Sequence, residues 1–169
     1  MPNHTTVKLT VEGNGAEKFI DNARGKQPLE FESLYPTPSE LLQDNVRSDR
    51  VKHTQSKVHF PDWYEWRILN WGTKWDCYDH HGDWSDNQIT FFTAWSPPTA
   101  LFLHVSNDYP DVRFKLEFAD EGAGFLGSQV IKKGELISET QLQWHSEEGI
   151  ELRDKLGVNY PEDEELETT

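Results

Sequence analysis

The stretch "QITFFTAWSPPTALFLHVSNDYPDVRFKLEF", residues 88–118, reads as strand, helix, strand, and that order decides the fold class. In "QITFFTAW" Ile89, Phe91, Thr93 and Trp95 fall on one face and Thr90, Phe92 and Ala94 on the other. Apolar groups on both sides suit a strand inside a sheet. Ser96 is placed to cap the following helix, with Pro97 at its first position, where a missing N–H is no loss. "DVRFKLEF" then turns Val112, Phe114, Leu116 and Phe118 inward and Arg113, Lys115 and Glu117 outward, the period of two of a strand with one buried face.

Upstream the same order is expected. "TVKLTVEGN" alternates Val7, Leu9 and Val11 with Lys8, Thr10 and Glu12, and "AEKFIDNAR" spaces Phe19, Ile20 and Ala23 as a helix does. "LEFESLYPTP", residues 29–38, alternates again and is expected to be a strand ended by Pro36 and Pro38. A polar insertion at about 37–61, with one short helical candidate at "SELLQD", separates the halves. "PDWYEWRILNWG" has Asp62 and Glu65 spaced as a capping box and Gly72 at the stop, so a short aromatic helix is expected. Further strands joined at "KKGE" and a closing helix at "EEGIELRDKLG" follow. The chain is therefore expected to be one α+β domain over 1–160, a ferredoxin-like split-βαβ sandwich with an insertion and extra C-terminal strands. Residues 161–169, "PEDEELETT", read as an acidic tail.

Sixteen basic residues against thirty acidic ones give a net charge of -14. Such a chain repels phosphate backbones, so generic nucleic-acid binding is not expected, and basic partners are favoured. An acidic surface can instead occupy a protein site made for DNA. Seven Trp, nine Phe and five Tyr point to an aromatic core. The single cysteine, Cys77, permits no intramolecular disulfide, and no run of about 18 apolar residues or signal-peptide core appears. An intracellular, cytoplasmic protein without a membrane partner is the expectation.

The densest stretch is "NWGTKWDCYDHHGDW", residues 70–84. Cys77, Asp79, His80, His81 and Asp83 are all metal-ligand types, yet adjacent His80 and His81 on a strand point to opposite faces. The other histidines, His4, His53, His59, His104 and His145, lie far from this stretch in sequence, so no metal is expected. Cys77 beside a histidine is a possible nucleophile and base, but there is no Gly-rich phosphate loop, nucleophile elbow or zincin helix; no cofactor and no catalytic residue is assigned. An aromatic pocket is the remaining constellation. Trp71, Trp75 and Trp95 offer flat faces for a base, Lys74 a charge for phosphate, and Thr93 or Ser96 hydrogen-bond donors. The competing role for most of these tryptophans is core.

Four segments in order, "MPNHTTVKLTVEGN", "DWYEWRILNWGTKWD", "ITFFTAWSPP" and "FADEGAGFLG", resemble the YubB-like ferredoxin-domain family of phages and conjugative plasmids, over about residues 1–127. Its members usually begin Met-Pro-Asn-Trp-Cys; here His4 and Thr5 stand in the last two places. The resemblance implies a small ferredoxin-like protein carried by a mobile element. It implies no iron-sulfur cluster, which one cysteine would not ligate.

Charge, missing catalytic signatures and resemblance together lead to an expected function. The chain is read as a noncatalytic phage or plasmid accessory protein that binds and inhibits a host or defence protein through an acidic surface; in the DNA-mimic form of this reading the partner is a nucleic-acid-binding one. Its acidic face is sought among Glu30, Glu32, Asp44, Asp49, Glu117, Asp120 and Glu121. The alternative is a protein that sequesters a nucleotide or other small ligand at Trp71, Lys74, Trp75, Thr93, Trp95 and Ser96.

Overall fold

The computed structural model describes residues 3–42 and 62–158. Five strands, β1 (His4–Gly13), β2 (Gln88–Ala94), β3 (Val112–Asp120), β4 (Leu126–Lys132) and β5 (Glu135–Gln141), form one sheet in the order β2-β1-β3-β4-β5 with every neighbouring pair antiparallel. β2 and β3 both run against β1 and therefore parallel to each other, and they are linked over it by a helix at Thr99–Val105. That is the split βαβ read from residues 88–118, and the fold is ferredoxin-like α+β.

The alternation sets which residues meet. Val7, Leu9 and Val11 pair with Phe118, Leu116 and Phe114 on β3, and Leu9 and Val7 with Ile89 and Phe91 on β2. All of these are buried, so the sheet's first face is continuous apolar surface. Among the described residues, α1 (Ala16–Ala23), α2 (Phe31–Leu34) and α3 (Trp63–Asn70) cover it before the Thr99–Val105 helix, which is α4. The second face is covered in part by α5 (Glu147–Leu156), which packs Leu152 and Leu156 on Ala119 and Leu126. Ser146 caps α5 through the Gly149 N–H, and Gly157 ends it in the left-handed region. Two tight hairpins need residues of positive φ. Asp86-Asn87 leads into β2 at φ 51° and 59°, and Lys133-Gly134 joins β4 to β5 at 53° and 76°.

One expected element is different. Residues 29–38 hold no strand; Phe31–Leu34 is the helix α2, and a 3-10 turn follows at Ser39–Leu41. The alternation predicts Leu29, Phe31 and Ser33 on one side, whereas Ser33 is exposed while Leu29 and Phe31 are buried. The reason is tertiary: the Asp76 carboxylate accepts from the N–H groups of both Phe31 and Glu32, capping a helix that its own flanking residues leave uncapped. α4 also begins later than its Ser-Pro signal suggests, at Thr99, because the Ser96 hydroxyl is engaged elsewhere. Most of the insertion, Asp44, Asp49 and the acidic tail lie outside the described residues. Among the described residues no helix is long and apolar enough to cross a membrane.

Candidate functional site

The segments "NWGTKW" and "TAWSPP" are locked into one unit by hydrogen bonds from side chain to backbone. Thr73 Oγ1 donates to the Ala94 carbonyl at 2.7 Å, Thr93 Oγ1 to the Ser96 carbonyl at 2.7 Å, and Ser96 Oγ to the Gly72 carbonyl. The Leu101 N–H also reaches the Trp71 carbonyl. Gly72 is required twice over: its φ is 87°, and a Cβ there would stand 3.2–3.3 Å from Pro97 O, Thr99 N and Ala100 N. The three hydroxyls are thus already donors to backbone, and Thr93 is fully buried. Neither Thr93 nor Ser96 has its proton free for a ligand, which corrects the pocket read from sequence.

Trp71 is a second correction. It is 0% exposed, its Nε1–H donates to the Tyr35 carbonyl at 2.9 Å, and its ring meets Phe31 and Trp66 edge to face with the Arg67 guanidinium 4.7 Å from its centroid. No face remains for a base. Arg67 lies between Trp63 and Trp71, donates to Glu32 at 3.1 Å and reaches the Lys74 carbonyl at 3.4 Å. This stack fixes where the chain leaves α3, and hence where Lys74 and Trp75 emerge.

What emerges is a pair of indoles. Trp75 is 38% and Trp95 43% exposed, and the Lys74 ammonium sits 4.2 Å from the first ring centroid and 4.0 Å from the second. Trp95 holds φ 70°, rare for a bulky residue, in a three-residue turn closed by the Ser96 N–H on the Ala94 carbonyl. The Trp95 N–H is held in turn by the Asn3 carbonyl. By strand alternation Trp95 would share the buried face of Thr93; the turn swings it out. Trp75 touches Tyr78, whose hydroxyl bonds His4 Nδ1, and Tyr78 and His4 both contact Phe92. Burial first, then Glu121 and Asp79, pushes the Tyr78 pKa up, so the phenol keeps its proton.

The Cys77 and His80 pair is present but poorly set for chemistry. His80 Nε2 lies 2.9 Å from the Leu29 carbonyl and 3.3 Å from Cys77 Sγ, and Sγ is 3.2 Å from the same carbonyl. A carbonyl only accepts, so Nε2 carries the proton and cannot take the thiol's. Burial, then the Asp76 charge beside it, pushes the thiol pKa well above its usual value. Burial likewise raises Asp76 itself, against the opposing hydrogen bonds from Phe31, Glu32 and Cys77. Native Cys77 is therefore expected to resist iodoacetamide near neutral pH and to label fully once unfolded, followed by intact mass. Rapid labelling of the native protein would contradict the geometry. Asp79, His81 and Asp83 do not join this pair: His81 packs on Phe92, and Asp83 pairs with Arg24 at 3.1 Å. No group of three possible metal ligands converges among the described residues.

The five described acids of the expected acidic face do not form one. Glu32 accepts from Thr37 and Arg67, and Glu30 from the Gln27 N–H. Glu117 is buried on the second sheet face, held by both Lys155 contacts at 2.8–2.9 Å. Asp120 is buried and accepts from the Gly124 N–H, while Glu121 accepts from the His4 N–H. Each is engaged locally, and alternation alone gave no sign of it. Exposed acids do share a surface along α5, where Glu147, Glu148, Glu151 and Asp154 stand at helical spacing. Separately, a cavity of about 520 Å³ beyond Pro97 is lined by Phe118, Phe125, Gln129, Glu139 and Trp144 among others.

Comparison with known proteins gives one match. The model of the family described as the ferredoxin-like domain in Api92-like protein matches residues 74–160, half of the chain, beginning at Lys74 and taking in both exposed indoles. No curated protein and no solved structure matches.

Proposed function

The chain belongs to the family of the ferredoxin-like domain in Api92-like protein, and from that premise we propose that it is a noncatalytic accessory protein of a phage or conjugative plasmid. It binds and inhibits a host or defence protein in the bacterial cytoplasm. The observation that carries this reading is the Trp75 and Trp95 pair: large apolar faces kept in water by a strained turn and three committed hydroxyls. Exposed tryptophans on rigid backbone are what interfaces use as anchors. A net charge of -14 supports a basic partner, drawn in by the whole field and by the α5 acids rather than by one dense acidic face. The DNA-mimic form of the proposal rests on that charge, and applies where the partner's basic surface is one that binds nucleic acid.

The salt dependence tests it. The protein immobilised at low salt is expected to retain a specific host protein through nuclease treatment, with retention falling several-fold between about 50 and 200 mM salt. DNA added in excess competes if the surface is a mimic. Absence of any retained protein at low salt contradicts the reading. The nucleotide-sequestering alternative keeps Lys74, Trp75 and Trp95 but loses Trp71, and it predicts a nucleotide extracted from the purified protein that Lys74→Ala no longer carries.

A further inference from the structure

The Lys74 ammonium lies against two indole rings. Thirty acidic residues are present, yet among the described residues its ammonium makes no ion pair and lies instead between two indole faces, 4.2 and 4.0 Å from their centroids. Both distances are well inside the roughly 6 Å over which a ring quadrupole holds a cation. The ammonium has two aromatic walls, and the edge contact of Trp75 with Tyr78 sets a third ring beside them. Both walls stay open to solvent, at 38% and 43% exposure.

We propose that Trp75 and Trp95 form a preformed cation-binding clamp, self-occupied by Lys74, whose external ligand is an alkylammonium group such as the end of a partner's lysine side chain or its methylated form. The backbone that carries both rings is placed without the Lys74 side chain. Trp95 is fixed by its own backbone bonds to Asn3 and within the turn, and by the Thr73, Thr93 and Ser96 hydroxyls beneath it. Trp75 is placed by the Arg67 contact with the Lys74 carbonyl, which is backbone and survives loss of the side chain. Lys74 is therefore a flexible plug on rigid walls. An entering cation displaces a tethered one, and the displaced ammonium moves into water at little cost, since four methylene groups let it swing aside. The plug lowers the apparent affinity for any external cation by competition, as an occupied conformer does.

This inference rests on reading the indole pair as a partner anchor, and purified protein with a small probe tests it without any partner. The indole N–H signals of Trp75 and Trp95 are followed by NMR during titration with tetramethylammonium chloride at constant ionic strength, with 2,2-dimethylpropanol as the neutral probe of similar shape. Lys74→Ala is expected to bind tetramethylammonium at least tenfold more tightly than the wild-type protein, and Lys74→Arg to bind no better than wild type. Trp95→Leu in the Lys74→Ala background is expected to abolish the shifts at Trp75. Equal affinity of Lys74→Ala and wild type, absence of saturable shifts in Lys74→Ala, or equal binding of the neutral probe would overturn the clamp. Amide spectra of each variant show whether it is folded. Should the clamp bind the probe while no host protein is captured, the partner reading alone fails; should capture succeed without probe binding, the clamp alone fails.

Discussion

Trp71→Ala is expected to lower the unfolding free energy by about 3–5 kcal/mol, a large share of the roughly 5–15 kcal/mol that holds a domain of this size. The side chain is fully buried and its loss opens a cavity between Phe31 and Trp66. It also leaves the Tyr35 carbonyl without its donor. Because the Trp71 carbonyl receives the Leu101 N–H, collapse of the cavity would drag α4 with it, so full relaxation is blocked. Trp71→Phe retains most ring contacts and is expected to lose only about 1–2 kcal/mol, for the missing hydrogen bond and a smaller void. Denaturant midpoints at equal slope measure both. A loss under 1 kcal/mol for Trp71→Ala would mean that the residue is not the keystone the packing makes it.

Arg67→Ala is the second large effect, expected at about 2–3 kcal/mol. Arg67 fills the space between Trp63 and Trp71, so truncation removes packing as well as charge. Glu32 then loses its guanidinium while its side chain remains only one-third exposed, although Thr37 still donates to it. The Lys74 carbonyl loses a donor too. Arg67→Lys keeps the charge but not the planar stack between indoles, and is expected to recover less than half of the loss. A double-mutant cycle with Glu32→Gln separates the ion pair from the stack: coupling of about 1 kcal/mol or less assigns most of the effect to the tryptophans. Near-complete rescue by Lys would contradict the role given to stacking.

The same residues explain how much was legible in the sequence. Residues 88–118 state their fold plainly, because β2, α4 and the first half of β3 carry a period that their burial obeys; from Leu116 on both faces of β3 are buried, since α5 covers the second one. The helix α3 announces itself through the Asp62 cap, which is present. Residues 29–38 mislead because four residues are too few to distinguish a period of two from a helical turn, and the decisive cap arrives from Asp76, far along the chain. The candidate site was half legible. Lys74, Trp75 and Trp95 are brought together as expected, since the two motifs pack against each other. Trp71 admits two roles in sequence, a pocket wall and, at helical spacing with Trp63 and Trp66, a core contact; the α3 stack gives it the second. The hydroxyls of Thr93 and Ser96 carry the chemistry of donors, but the turn at Trp95 turns them onto backbone. Nothing in the alternation marks residue 95 for a positive φ, a conformation normally signalled by glycine or asparagine.

Central to the account is that the fold presents Trp75 and Trp95 to a partner rather than storing them. The most direct measurement is quantitative affinity capture from host lysate by the wild-type protein and by Trp75→Ala/Trp95→Ala, at one low salt concentration and after nuclease, with thermal melting recorded for both. Both side chains are more than one-third exposed, so the double variant is expected to melt within a few degrees of wild type while its specific host protein is depleted at least tenfold. Equal retention of that protein by a folded double variant would contradict the claim.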